Sequence, residues 1–169
     1  TALKSHIRLS KAIFLEGCSG MNLDILARGP LWDLGLDYRC GTGHGVGHLL
    51  NVHEGPNGFR WKVVPERKDS APLQVGMIQS NEPGVYLEGE YGIRHENEMI
   101  VIEKEVNEYG RFLCFETITF VPFDLAGIDA SLLSADEIQW LNDYHQETYT
   151  KLCPYLSDEE QAWLKEATQ

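Results

Sequence analysis

Leu3, Ile7 and Phe14 fall near one face of a 3.6-residue repeat, with Lys4, Arg8 and Lys11 elsewhere; they predict a helix over Leu3–Leu15, ended by Gly17 and Gly20. Leu23, Leu26, Leu31 and Leu34 carry the same repeat through Met21–Leu34. Pro30 follows Gly29 and is expected to restart the helix as a new first turn rather than sit inside it. Between Gly41 and Gly47 every second residue is glycine, which excludes a stable helix and suits an extended segment that backbone or ligand approaches closely. Gly76–Asn81 and Gly92–Ile102 predict strands, the second through Met99-Ile100-Val101-Ile102, and Phe112–Val121 predicts another. Tyr109-Gly110 marks the turn that pairs the last two as a hairpin, and Glu66–Pro72 is a polar excursion. Ser134 to Glu137 forms a capping box ahead of Ile138, Leu141, Tyr144 or His145, Thr148 and Leu152 at helical spacing, with Pro154 as the stop. Ser157 to Glu160 opens a last short helix with Trp163 and Leu164 on its apolar side. Helices, then a mainly antiparallel sheet, then helices describe an α+β domain over residues 1–169, with 134–169 as a C-terminal helical extension.

The 169 residues suffice for one domain with its own core. The 26 acidic against 14 basic residues give a formal net charge of −12, which disfavours a phosphate backbone and makes a nucleic-acid partner an unexpected one. No apolar run reaches transmembrane length and no secretory pattern opens the chain, so no membrane partner is expected. Thr1 is not a natural initiator, and upstream sequence is expected. Cys18, Cys40, Cys114 and Cys153 form no C-x-x-C pair and no disulfide framework; a reducing cytoplasm is the simpler setting, with Cys18, Cys114 and Cys153 as small buried or half-buried fillers.

Three segments carry the candidate chemistry: Gly41-Thr42-Gly43-His44-Gly45-Val46-Gly47-His48, Asn81-Glu82-Pro83-Gly84 and Gly92-Ile93-Arg94-His95-Glu96-Asn97. His44 between two glycines leaves room for a metal and a substrate. Glu82 precedes a Pro-Gly turn that aims a carboxylate out of a strand end. Glu96 is placed on a strand, with Arg94 on the same face two residues earlier as an orienting partner and His95 on the opposite face. One imidazole and two carboxylates suit manganese, cobalt, zinc or iron better than magnesium or calcium. Without a cation Glu82 and Glu96 are expected to repel each other, so that one takes up a proton. Alternatives weigh less. A structural zinc on Cys40, His44, His48 and His53 has a spacing that matches no common module, and Cys40 as a nucleophile with His44 as base lacks a third orienting residue. Glycines stepping by two do not meet the dinucleotide fingerprint. His48 is expected to be structural or solvent-facing.

The same segments, with Leu50-Asn-Val-His-Glu-Gly-Pro56 and Thr119-Phe-Val-Pro122, resemble in their order the catalytic half of the pita-bread metallopeptidases, in the aminopeptidase P (Xaa-Pro aminopeptidase) branch. The resemblance runs from about Ser5 to about Trp163. His53 lies nine positions after His44, as in aminopeptidase P of the large cytosolic type, where prolidases and methionine aminopeptidases typically show seven. The resemblance implies the C-terminal portion of a pita-bread fold, a mainly antiparallel curved sheet with flanking helices. It implies two divalent metal ions, usually Mn2+, with His44, Glu82 and Glu96 as ligands and Glu82 also as general base. His53 is implied to hydrogen-bond the substrate. The substrate implied is a peptide with proline second, cleaved after its first residue. Two departures stand out. Cys40 occupies a place where many relatives have histidine, and no two aspartates here lie eleven apart, as two aspartate ligands of the family do. The chain is therefore expected to be a C-terminal fragment, inactive alone and binding metal weakly, with an exposed half-sheet that favours a homo-oligomer. The prolidase and methionine aminopeptidase branches, and a non-catalytic pita-bread module that binds peptide or protein, are the alternatives.

Overall fold

A computed structural model describes residues 1–49 and 51–169; Leu50, which opens one of the quoted motifs, lies outside the described residues. Contacts divide the chain into two compact units, Thr1–Ile118 and Thr119–Gln169.

In the first unit the opening helix α1 spans Ala2–Ser10, shorter than its hydrophobic repeat predicts. The chain turns at Lys11, and Ile13–Leu15 forms strand β1 instead of a further helical turn. Phe14 is buried as expected, but as the inward residue of a strand flanked by exposed Ile13 and Leu15. Sheet pairing with a distant strand wins over local helical spacing, because a three-residue run reads equally well at either period. Helix α2 spans Gly20–Trp32 without interruption, and Pro30 sits inside it rather than restarting it. So near the C-terminal end, the missing amide removes a single intrahelical bond, and the ring is buried.

Short strands β2 (Gly43–His44) and β3 (Gly58–Phe59) pair with each other. They are followed by β4 (Ile78–Asn81), β5 (Gly84–Leu87), β6 (Tyr91–Arg94), β7 (Asn97–Asn107) and β8 (Gly110–Thr117). Among the described residues β1, β8, β7 and β4 form a four-stranded antiparallel sheet in that order, while β5 and β6 make a separate hairpin. The expected hairpin at Tyr109-Gly110 is present, with Asn107 opposite Gly110. The single strand expected over Gly92–Ile102 is broken: β6 ends at Arg94 and β7 begins at Asn97. Glu96 thus lies at the break and not within a strand. The two parts have different partners, β5 and β4, and a break lets one chain segment serve both. Likewise β8 ends at Thr117 where a strand to Val121 is expected.

Leu9 of α1 and Leu23 and Ala27 of α2 pack with Phe14, Phe59, Met99, Val101 and Leu113 in one core. Along β7, Asn97, Met99 and Val101 are buried and alternate with half-buried Glu98, Ile100 and Ile102. Beneath the loop before β2, Arg28 is fully buried beside fully buried Asp24, at 2.8 Å. Its other nitrogens reach Asp37 (2.7 Å) and the carbonyls of Tyr38 (2.6 Å) and Cys40 (3.2 Å). Asp24 Oδ1 accepts from the Thr42 hydroxyl at 2.5 Å. Each donor of the buried guanidinium thereby fixes the stretch that delivers residues 41–44. Removing one member of such a buried pair costs about 3–5 kcal/mol, because the other charge is stranded.

In the second unit, helix α3 (Ala135–Leu152) starts at the predicted Ser134–Glu137 capping box, and α4 (Asp158–Ala167) starts at a second box on Ser157. Leu152 is the last residue of α3, with Pro154 just beyond. Tyr144 stacks on Trp140 and its hydroxyl meets the carbonyls of Thr119 and Val121, while the Phe123 amide donates to His145 Nε2. On α4, Leu164 is buried but Trp163 is 62% exposed, against its expected place on the apolar side; the short helix turns only Leu164 fully inward.

The buried histidines set a pH dependence. Burial, together with neighbouring His95, pushes His6 down to about 3, against hydrogen bonds to the carbonyls of Asn81 and His95 that favour its charged form. Burial also lowers His95 and His145. Each lowered imidazole is protonated more readily in the unfolded chain, so its contribution to stability is complete above about pH 6.5 and is lost as the pH falls towards the folded value. Urea unfolding at pH 6.5 and pH 5 is expected to show a loss of about 2 kcal/mol from His6 alone; equal stabilities would contradict the burial of this group.

Candidate metal centre

The glycine alternation does its work at two positions. A Cβ on Gly43 would stand 1.9 Å from the Ser80 carbonyl oxygen, and one on Gly45 would stand 2.1 Å from the Glu54 carbonyl oxygen. Only glycine at position 43 lets β2 lie this close to β4, and only glycine at 45 lets the run pass this close to Glu54. The Glu82 amide donates to Thr42 O at 2.8 Å, and a bridge between Gly45 and Gln79 continues the contact. His44, between the two glycines, is thereby set against the end of β4.

His44 Nε2 lies 3.1 Å from Glu82 Oε1. The buried Ser80 hydroxyl donates to the same Oε1 at 2.9 Å and accepts the His44 amide at 3.0 Å, tying both residues through one atom. On the other edge of the ring, Nδ1 faces the Gly45 carbonyl at 2.9 Å. A carbonyl only accepts, so Nδ1 carries a proton and, in the neutral ring, Nε2 presents a lone pair to a carboxylate oxygen. Two acceptors at this distance call for a proton or a cation between them, and a ligating histidine is commonly held through its other nitrogen in this way.

Glu96 joins through Arg94, whose Nε is 2.9 Å from Glu96 Oε2 and 3.8 Å from Glu82 Oε2. The expected uncompensated repulsion of the two glutamates is therefore corrected: a guanidinium lies between them. Arg94 Nη1 also donates to the Tyr86 hydroxyl at 3.4 Å. Among the described residues no three His, Cys, Asp or Glu side chains stand as a closed metal-binding group. His44 and Glu82 form a pair, and Glu96 is held on Arg94. The His53 ring is exposed and lies 4.1 Å from that of His44. His48 is exposed, and His95 neighbours the buried His6.

Two residues near the pair carry no signal of their own in the sequence. Ser80 lies two before Glu82, and Glu98 two after Glu96; they are cross-strand partners. Burial pushes the Glu98 carboxyl upward; His44 pulls it back, and Glu96 and Glu82 add to the rise. Strand alternation around the two glutamates is the signal that could have found both. Beside the centre, an open cavity of about 1010 Å³ is bounded by Glu82 and Arg94 and by Tyr38, Cys40, Tyr86 and Tyr91. Cys40 lines this cavity, and partial desolvation of its thiol pushes it up, with Glu82 adding to the shift.

The sequence matches a known family. A sequence model of metallopeptidase family M24 fits residues 1–103, and one of the C-terminal region of peptidase M24 fits residues 111–169. The chain belongs to metallopeptidase family M24. This M24 chain is 49% identical to "Probable Xaa-Pro aminopeptidase P" of Coprinopsis cinerea, over 98% of its own length and 27% of the relative's. It is 47% identical to "Aminopeptidase P1" of Lotus japonicus, over 99% of its length and 25% of the relative's. It therefore spans about a quarter of the length of these relatives. Its fold follows that of an X-prolyl aminopeptidase from Caenorhabditis elegans, described as a cytosolic enzyme with a di-nuclear active site, at a TM-score of 0.89 and 41% identity over 99% of this chain and 27% of that one. The α+β, mainly antiparallel portion of a pita-bread fold is thus established for this M24 chain.

Ser80→Ala is expected to cost about 1–3 kcal/mol, since it leaves the His44 amide without its acceptor and Glu82 without its donor, while Ser80→Thr keeps most of the stability. Urea titration of the two variants checks this; equal values for alanine and threonine would remove the hydroxyl from the account.

Proposed function

We propose that this chain supplies part of the active centre of a metal-dependent aminopeptidase that releases an N-terminal residue preceding proline. The observation that carries the reading is His44 Nε2 held 3.1 Å from a Glu82 oxygen, two atoms that can share a cation. The donor set fits a divalent ion of the manganese or zinc type, and Mn2+ is the ion we favour. His44, Glu82 and Glu96 would hold it together with a second ion, with further donors from outside these three. The cations supply Lewis acidity to the scissile carbonyl and to the attacking water.

Glu82 has Oε1 fixed by Ser80, which aims its carboxylate to accept the proton of the attacking water. Arg94 keeps the two glutamates from repelling each other and holds Glu96 in place by its Nε. His53, exposed beside His44, would donate to the substrate carbonyl as charge develops. The cavity beside Glu82 offers tyrosine faces to a peptide chain.

The names of the relatives support the Xaa-Pro specificity. The prolidase branch remains the second reading: "Xaa-Pro dipeptidase from Bacillus anthracis" matches at a TM-score of 0.53 and 29% identity over 73% of this chain. We further propose a cytoplasmic setting, from the cysteine usage and the description of the nematode enzyme. Self-association is our proposal for the exposed Leu49, Val52 and Trp61. Among the described residues no helix is long and apolar enough to cross a membrane.

The test uses the full-length protein loaded with Mn2+ and offered a longer Xaa-Pro peptide, an Xaa-Pro dipeptide and a Met-Ala peptide. Release of the first residue from the longer Xaa-Pro peptide is expected, with Glu82→Gln lowering kcat by about 10²–10⁴-fold. Cleavage of the dipeptide alone would assign the prolidase branch, and an active Glu82→Gln protein would remove Glu82 from the chemistry.

A further inference from the structure

The residue before Glu82 and the residue after Glu96 both meet one buried side chain. His6 of α1 is fully buried, and its Nδ1 lies 3.1 Å from the carbonyl oxygen of Asn81, the residue before Glu82. In the neutral ring Nδ1 donates to this carbonyl, which leaves Nε2 as an acceptor. Asn97, the residue after Glu96, places Nδ2 3.3 Å from His6 Nε2. Contacts also run back from strand to helix. Asn81 Nδ2 donates to the His6 carbonyl at 2.9 Å and to Ser10 Oγ at 2.9 Å.

The geometry of the sheet turns these bonds into a spacer. Asn81 and Asn97 are cross-strand partners, 0% and 3% exposed, on the buried face that α1 covers. Their neighbours Ser80 and Glu98, offset by one residue, belong to the opposite face, where the candidate centre lies. The peptide between Asn81 and Glu82 is fixed twice, its oxygen by His6 and its N–H by Thr42 O at 2.8 Å. Near Glu96 the regular strand is interrupted, so sheet pairing does not itself fix that residue. A rigid ring with polar atoms on opposite edges spans both segments. An amide or hydroxyl side chain has no such fixed span.

We propose that His6 is a positioning residue for the peptidase reaction, a bracket across the back of the sheet that sets the separation of the backbone segments bearing Glu82 and Glu96. The inference rests on the reading of those two glutamates as metal ligands. It distinguishes His6 from a residue that only docks α1 on the sheet, because a bracket acts on metal binding beyond its effect on stability.

The experiment uses the full-length protein with His6→Asn, His6→Gln and, as a control on the same helix, Ile7→Val, since Ile7 is also fully buried but has no polar side-chain atom. Each is titrated with Mn2+ by calorimetry, melted, and assayed for kcat and KM on an Xaa-Pro peptide. The His6 variants are expected to bind Mn2+ about 10–100-fold more weakly, with kcat falling and KM for peptide nearly unchanged. Ile7→Val is expected to lower Tm and leave Mn2+ affinity as in the wild type. Ser10→Ala, which removes one anchor of Asn81, carries the same comparison should neither His6 variant fold, with a smaller loss of affinity expected. Wild-type Mn2+ affinity in the folded variants, or an equal loss of affinity in Ile7→Val, would overturn the bracket. A wild-type protein whose Mn2+ binding is unaffected by Glu82→Gln would instead overturn the ligand reading, and the two failures are thereby distinguished.

Discussion

The centre depends on backbone being allowed to touch backbone. At Gly43 and Gly45 the space for a Cβ is already filled by the carbonyl oxygens of Ser80 and Glu54. A side chain at Gly43 would push β2 off β4, and one at Gly45 would push the run off the segment at Glu54 and Asn57; either shift would move His44 from Glu82. The buried Asp24–Arg28 pair serves the same end from beneath, since it binds the loop that feeds the glycine run. The helical layer, the loop and the sheet therefore converge on one contact of 3.1 Å.

Charge is arranged around that contact with the same economy. The chain carries a formal net charge of −12, yet at the centre a cation of its own, Arg94, separates two carboxylates. Both acids face the same Nε, hydrogen-bonded to Glu96 at 2.9 Å and at ion-pair distance from Glu82 at 3.8 Å, while Nη1 turns to Tyr86. The chain thereby keeps the two glutamates close where bare repulsion would spread them. Ser80 contributes differently: one hydroxyl donates to a carboxylate and accepts a backbone amide, so a single small atom couples the orientation of Glu82 to the path of β2.

Much of this was legible in the sequence, and the reasons for the rest are physical. Glycine spacing announced a close backbone approach, and the Pro-Gly turn announced an outward-aimed Glu82; both are properties of a few adjacent residues. The capping boxes at Ser134 and Ser157 fixed helix starts for the same local reason. What escaped was decided by distant partners. Ile13–Leu15 became a strand because β8 was available. The break before Glu96 exists because β5 and β4 claim different parts of one run. Arg94 was placed beside Glu96 by alternation, but its second contact with Glu82 required the fold. Ser80, Glu98 and His6 are ordinary residues until the register of β4 and β7 brings them to the glutamates.

The most direct measurement is a crystal structure of the full-length protein grown with Mn2+, with the ion located by its anomalous signal. The account predicts density for the ion between His44 Nε2 and the Glu82 carboxylate, with Glu96 also bonded to metal and the His44 Nδ1 contact to Gly45 intact. Mn2+ bound elsewhere, with His44 still resting directly on Glu82, would contradict it.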